Sequence, residues 1–350
     1  MWLCASCKPN ANGLWRVPKT VMAAETMQLV NYLDSEGIKQ VPTRNGFGEG
    51  LIEAGKRDRN VIGICADLSE STRMEGFKKA LPEQYIEIGV SEQLLVAMAA
   101  GLASAGKIPF IASYAMFNPG RSWEQVRTTM ALNETNVKIA GAHAGVSVGP
   151  DGATHQAIED IAIMRVIPHM TVVVPCDSVQ TRKATLAVAE RWGPTYLRFG
   201  REKSAVITTE ETPFEIGKAQ VFREGNDVAI VACGILVYNA LIAAHQLQEE
   251  DGIDCTVVNN HTIKPMDDAA ILDATKRCRS VVTVEEHQKA AGMGSRVAEL
   301  LAHEHPAPIE FVGVDDQFGQ SGDPMELIDY YGMGTGSIKE AVRRAYARKK

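Results

Sequence analysis

The sequence predicts an α/β protein made of two consecutive open domains, each with a mostly parallel sheet. Three observations predict it. Short apolar runs without a polar face, such as VIGICA at 61–66 and DVAIVAC at 227–233, alternate with longer helical stretches. Runs of that kind mark strands covered on both sides. A charged, threonine-rich stretch with Pro213 inside breaks the alternation at 201–218. The length, 350 residues, suits two cores better than one.

Residues 1–40 read as an extension. Pro9, Asn10, Asn12, Gly13 and Pro18 leave residues 1–20 without periodicity, so loose order is expected there, and Met22 is a second candidate start. A short helix is expected over 21–37, stopped by Gly37. The first domain is expected over 41–200. Its helices are placed at 45–56, 94–105, 122–132 and 179–191. Its strands are placed at 61–66, 85–88, 109–113, 137–142, 170–174 and 195–199. Residues 201–218 read as a linker. The second domain, 219–350, is expected to have strands at 227–233, 255–258, 280–284 and 309–314, separated by helices at 237–250, 267–276, 295–303 and 337–348.

Composition excludes several functions. The chain is 45% hydrophobic and 23% charged, ordinary for a globular protein. A net charge of −7 favours neither nucleic acid nor an anionic membrane as partner. The longest weakly polar run, 94–106, has 13 residues, short of the ~20 that span a bilayer. The N-terminus lacks the apolar core of a signal peptide. Seven dispersed cysteines suit reduced thiols in the cytoplasm. Cys4 and Cys7 form a lone C-x-x-C with no second pair to complete a zinc site.

One stretch organises the rest: YIEIGVSEQLLVAMAAGLASAG, 85–106. A strand hands over through Ser-Glu-Gln to a helix so poor in charge that burial is expected all round. Glu92 stands at that junction, where a carboxylate is costly unless something binds it. Two readings are open: a functional acid, or a helix-start charge stabilised by the helix dipole. Other polar or aromatic residues also fall at the carboxyl ends of first-domain strands: Asp67, Tyr114, Phe117, His143, the loop GVSVGPDGATH at 145–155, and Arg198. In open α/β sheets ligands bind at that edge. His143, Asp151 and His155 suit either metal binding or recognition of a hydroxylated substrate. Arg44 and Arg198 suit either phosphate capture or surface ion pairs.

The motifs GVSEQ, PFIASYAMF, HAGVSVGPDGATHQAIEDIAIMRVIPHMTVVVPCD and TYLRFGR, in this order and spacing, resemble the pyrimidine-binding domain of transketolases. NNHTIKPMD, VVTVEEH and DQFGQSG are similar to that family's C-terminal domain. The resemblance covers roughly residues 40–345. It implies a thiamine-diphosphate enzyme that moves a two-carbon ketol (glycolaldehyde) unit from a ketose phosphate to an aldose phosphate. Full-length members bind the diphosphate and a divalent ion such as Mg2+ through a GDG…NN motif. This chain has no GDG; Asp251-Gly252 with Asn259-Asn260 is too closely spaced and lies in the wrong domain. The resemblance thus implies the C-terminal subunit of a split transketolase. An N-terminal subunit would carry GDG…NN and most of the metal contacts, and the subunits would self-associate, as α2β2.

The resemblance also implies roles. Glu92 would hydrogen-bond the aminopyrimidine ring and favour the imino tautomer that takes the thiazolium proton. Tyr114 would stack on the pyrimidine beside Phe117, with Asp67 and Leu68 on the adjoining loop. Arg44, Ser71, His143 and Arg198 would hold the sugar phosphate. Asp151 and His155 would contact substrate hydroxyls, with His155 also catalytic. Deoxyxylulose-phosphate synthases share the G-x-x-E-Q and DGxTHQ motifs but normally carry an acid where His143 stands. The β subunits of 2-oxoacid dehydrogenases usually lack the DGATHQ form. Either activity is the alternative. A non-catalytic remnant is a third reading, against which intact Glu92, Tyr114, Asp151 and His155 weigh.

Overall fold

The computed structural model describes residues 27–349. The Cys4–Cys7 pair, the loose order expected over 1–20, Met22 and the front of the helix expected over 21–37 lie outside the described residues. The rest of that helix does not form: residues 28–39 run in turns and irregular backbone. Turn chemistry wins there. Asp34 accepts the amide of Gly37 at 3.0 Å, and Val30 donates its amide to Ile207.

The first sheet has seven strands. Six come from the first half: β2 (Val61–Cys65), β3 (Tyr85–Glu87), β4 (Ile108–Tyr114), β5 (Lys138–Ala142), β6 (Thr171–Val173) and β7 (Thr195–Arg198), all parallel. The seventh is β12 (Thr262–Lys264), and the order across the sheet is β12-β6-β7-β5-β4-β2-β3. Each apolar run became a strand because both its faces are covered; β2 and β5 are buried at every position. Helices α1 (Thr43–Arg57), α2 (Met74–Ala80), α3 (Glu92–Ser104), α4 (Trp123–Gln125, continuing as a π-helical turn over Val126–Ala131), α5 (Asp160–Arg165) and α6 (Ser178–Glu190) cover it. Helix α1 holds four glycines, an unpromising composition for a helix. Its packing explains them. A Cβ at Gly46 would lie 1.9 Å from the Ser178 carbonyl oxygen, and one at Gly50 2.8 Å from that of Arg182, so α6 packs directly on the α1 backbone.

In the second sheet, strands β10 (Val228–Ala232), β11 (Cys255–Asn259), β13 (Val281–Gln288) and β14 (Ile309–Val314) are parallel, and β9 (Gln220–Arg223) is antiparallel. They run in the order β14-β13-β10-β11-β9. Helices α7 (Leu236–Glu250), α8 (Asp268–Cys278), α9 (Met293–Glu304), α10 (Pro324–Tyr330) and α11 (Thr335–Ala347) complete it. The chain is thus two open, mostly parallel α/β units, as its apolar runs predict.

The halves are joined more tightly than a tether implies. Strand β12 leaves the second half and pairs antiparallel with β6, finishing the first sheet. One apolar cluster runs across both halves, from Ile64, Leu95 and Val172 to Val231, Val258 and Leu301. The stretch expected as a linker is largely packed: β8 (Lys203–Ala205) pairs with β1 (Gln40–Pro42). Asp177, which caps α6, also accepts the amides of Ile207 and Thr208. The five described cysteines, Cys65, Cys176, Cys233, Cys255 and Cys278, are free and buried.

Helix α3 is a correction to the reading that it is buried all round. Leu95, Val96, Ala99 and Ala103 face the core, but Leu94 is 48% exposed and neighbouring Val90 73%. Ala97 and Gly101 are also exposed, so an apolar face of α3 is bare in the single chain.

Candidate active site

Parallel pairing brings the carboxyl ends of β3, β2, β4, β5 and β7 to one edge. Glu92 opens α3 just beyond β3, in the first turn of the helix. It is only 6% exposed, and among the described residues its carboxylate accepts no hydrogen bond and forms no ion pair. Its oxygens are not among the buried atoms left without a partner, so the tip of the carboxylate reaches the surface, where an external donor can meet it. The turn before it is fixed by Glu87. One oxygen of Glu87 accepts the amides of Asp67, Ile88 and Gly89 at 2.8, 3.1 and 3.2 Å, and the other accepts the Tyr85 hydroxyl at 2.6 Å. Partial burial opposes that charge, but these donors win and hold the Glu87 carboxyl below its usual range. Asp67, at φ 61, and half-buried Leu68 lie on the loop so anchored.

Four rings meet at the ends of β4 and β5. Tyr114 stacks on His143 at 4.0 Å between centroids and on Phe117 at 5.8 Å. His155 meets Phe117 edge-on at 5.2 Å and Tyr114 at 6.0 Å. The Nδ1 atom of His143 is buried without a partner. Burial, then the charges of Arg44 and Arg201, pushes the His143 imidazole down to about 3, so it is neutral at physiological pH.

Three guanidinium groups act on this corner. Arg44 donates to the Ser71 carbonyl at 2.9 Å, and its Nε is buried without a partner. Burial and then Arg73 and Arg201 lower its affinity for its proton. Arg73 donates to Asn45 at 2.9 Å, and Arg201 donates to the Val148 carbonyl at 3.0 Å and lies 3.4 Å from Asp151. These cations beside a neutral imidazole, partly offset by Asp151 and by Glu202, which lies 3.3 Å from Arg201, suit this corner to an anion.

Arg198 is not part of that corner, and its expected contact with the sugar phosphate is corrected. It is 4% exposed, donates to Asp160 at 2.7 Å, and also donates to the carbonyls of Glu286 and Ala157 at 2.8 and 3.4 Å. Asp160 also accepts the Tyr196 hydroxyl at 2.6 Å. Burial opposes the Asp160 charge, but Arg198 overcomes it and holds the carboxyl below its usual range. Arg201, three residues on, stands at the site instead. Its signal was its place beyond the strand, in the charged stretch that begins the break. The structure brings together Arg44, Ser71, Tyr114, Phe117, His143, Asp151 and His155, and sets Glu92, Asp67 and Leu68 along the same edge. Among the described residues no group of three or more His, Cys, Asp or Glu side chains could hold a metal ion.

The fold and this edge define a class: an α/β protein whose first domain offers an unanswered acid and a ring-stacking platform. Comparison with known proteins gives that class its family. Residues 39–205 match the transketolase pyrimidine-binding domain, and 217–338 match the transketolase C-terminal domain. The chain belongs to the transketolase family. It is 43% identical to a putative transketolase C-terminal section of Methanocaldococcus jannaschii, over 85% of this chain and 94% of that protein. It is 37% identical to one of the subunits of the apulose-4-phosphate transketolase of Phocaeicola vulgatus, over 85% and 95%. A 6-deoxy-6-sulfo-D-fructose transketolase subunit of a Clostridium species is 38% identical over 87% and 93%. A solved split gene transketolase, described as an inactive beta4 tetramer, superposes with a TM-score of 0.83 at 42% identity, over 89% of this chain and 100% of that one.

Proposed function

We propose that the chain is the C-terminal subunit of a split, thiamine-diphosphate-dependent transketolase that moves a two-carbon ketol unit from a ketose phosphate to an aldose phosphate. One observation carries the reading: Glu92, buried and unanswered, stands on the edge that holds the Tyr114 ring platform. These residues fit an aminopyrimidine. Glu92 would meet a ring nitrogen, Tyr114 and Phe117 its face, and Asp67 and Leu68 the adjoining loop. When bound, thiamine diphosphate supplies the carbon centre that accepts the two-carbon fragment. The chain's own residues bind and orient. Arg44, Arg201, Ser71 and neutral His143 hold the phosphate. Asp151 and His155 meet substrate hydroxyls, and His155 moves a proton at one of them.

A separate N-terminal subunit carrying GDG…NN would supply the diphosphate half of the site and most contacts to Mg2+. Relatives that are subunits or sections of about this length support that division. The bare face of α3 fits contact with a second copy, and an α2β2 assembly is the state we assign. The buried free thiols fit the cytoplasm, and no helix among the described residues is long and apolar enough to cross a membrane. The test is co-expression with the GDG…NN chain, followed by assay with xylulose 5-phosphate and ribose 5-phosphate and then with branched and unusual sugar phosphates. Product formation that needs both chains is expected. Aldose-independent release of carbon dioxide from a 2-oxoacid, without ketol transfer, would point to the 2-oxoacid reading.

A further inference from the structure

The loop at 145–156 carries Asp151 and His155 and is tied partly to itself: Gly152 and His155 donate their amides to the carbonyls of Gly149 and Gly152, and the Gln156 side chain donates to that of Val146. Gly145, Gly149 and Gly152 have φ of 87, 76 and 73, a left-handed conformation that glycine adopts freely and leaves freely. The second domain holds it at each of these points. The Ser147 amide donates to Glu286 at 2.6 Å, and a Cβ at Gly145 would lie 2.2 Å from the same oxygen. A Cβ at Gly149 would meet Pro324 at 2.8 Å, and one at Gly152 would meet Ser321 at 2.6 Å. Gln156 donates to the Gln320 carbonyl at 2.9 Å.

Glu286 is itself fixed from the first domain. Arg198 donates to its carbonyl at 2.8 Å, and Asp160 holds Arg198. Its neighbours dock alongside: Gln288 donates its amide to the Ile158 carbonyl at 2.8 Å, and His287 accepts the Ala162 amide at 3.3 Å. Asp160, Arg198, Glu286 and Ser147 thus form one chain of contacts across the two domains, ending on the loop.

We infer that the second domain sets the substrate loop, and that Glu286 is the positioning residue through which it does so. Glu286 is 5% exposed and lies behind the loop, so it acts through Ser147. The inference rests on the proposed function for what the loop binds, but not for how it is held. It also gives Arg198 a place: it orients the clamp. Reach, more than charge, is what matters, because an amide oxygen can accept the same bond as a carboxylate.

The experiment compares Glu286→Asp, which keeps the charge and shortens the reach, with Glu286→Gln, which keeps the reach and removes the charge. Gly145→Ala crowds the same carboxylate from the loop side but also strains a backbone at φ 87, so it serves where Glu286→Asp fails to fold. Amide hydrogen exchange over 145–156 is measured on the full chain, and KM and kcat for the sugar donor on the assembled complex. Glu286→Asp should speed exchange in the loop and raise KM roughly tenfold with little change in kcat, as expected for one lost hydrogen bond, and Gly145→Ala should speed exchange at least as much. Glu286→Gln should stay within about twofold of the unaltered protein, since its amide oxygen keeps the bond. Unchanged loop exchange in Glu286→Asp overturns the clamp. So does a Glu286→Gln variant as impaired as Glu286→Asp. Faster exchange with unchanged KM overturns the link to substrate. An unaltered complex without ketol transfer sinks the functional reading instead, while the exchange measurement still decides the clamp.

Discussion

Glu92 and Arg198 are both buried and both ionisable, and their surroundings give them opposite parts. Arg198 has Asp160 and two carbonyls within hydrogen-bond distance, whereas the Glu92 carboxylate has no partner among the described residues. Replacing Glu92 by Gln should therefore leave the fold intact and lower turnover of the assembled complex by orders of magnitude. Proton exchange at the thiazolium carbon, followed by NMR in heavy water, should slow with it. Unchanged exchange would return Glu92 to the role of a helix-start charge, worth only ~0.3–1 kcal/mol. The arginines separate the same way. Arg201→Ala should raise KM for phosphorylated sugars by one to two orders of magnitude, about 1.5–3 kcal/mol, and spare a small unphosphorylated donor. Arg198→Ala should instead destabilise the chain by about 3–5 kcal/mol, because it strands Asp160 in the interior; urea denaturation measures it. TYLRFGR did not reveal this difference. Strand β7 is buried at all four positions, so alternation carries no sign of which side chain reaches the edge.

At the scale of elements, strands covered on both faces and long helices were legible, because their burial is written in local composition. VIGIC and VAIVA read as strands for that reason. Helices α2, α5 and α10, of six or seven residues, were too short to show a period. Strand β12 is three residues whose partner lies some ninety positions earlier, and no local pattern encodes such a pairing. The charge-free run of α3 was legible, but the sequence could not tell a core from a surface awaiting a neighbour. Its bare face yields a prediction. Leu94→Glu should leave the circular dichroism spectrum unchanged and shift the isolated chain toward monomer in light scattering. An unchanged mass would show that this face is not a contact between copies.

At the scale of the molecule, the shared apolar cluster and β12 make the two halves one cooperative body. Far-ultraviolet and tryptophan signals should lose structure in a single urea transition, and a fragment ending at 218 should aggregate. Acid adds a second test. Burial pushes the His261 imidazole down to about 3, and its Nε2 is buried without a partner. A folded-state value below the unfolded ~6.5 gives stability that is present above ~6.5 and is lost as pH falls toward about 3. The buried carboxyls Asp177, Glu285 and Glu286, raised by burial, act with the opposite sign. A difference measurement isolates the histidine. His261→Asn, which cannot titrate, should lose about 2 kcal/mol less than the unaltered chain between pH 6 and 4. Equal losses would mean that His261 takes up its proton as readily in the folded chain as in the unfolded one.

Strand β12 also bears on synthesis. Until it is made, β6 is the open margin of the first sheet, with unpaired amides and carbonyls beside the apolar side chains of Val172 and Val173. Residue 262 leaves the ribosome 89 positions after residue 173, roughly 4–18 s later at ordinary elongation rates. For that interval the nascent chain displays a sticky border that only its own later segment can seal. Slow codons between 174 and 262 would lengthen the exposure, and a chaperone that shields β6 would matter most then.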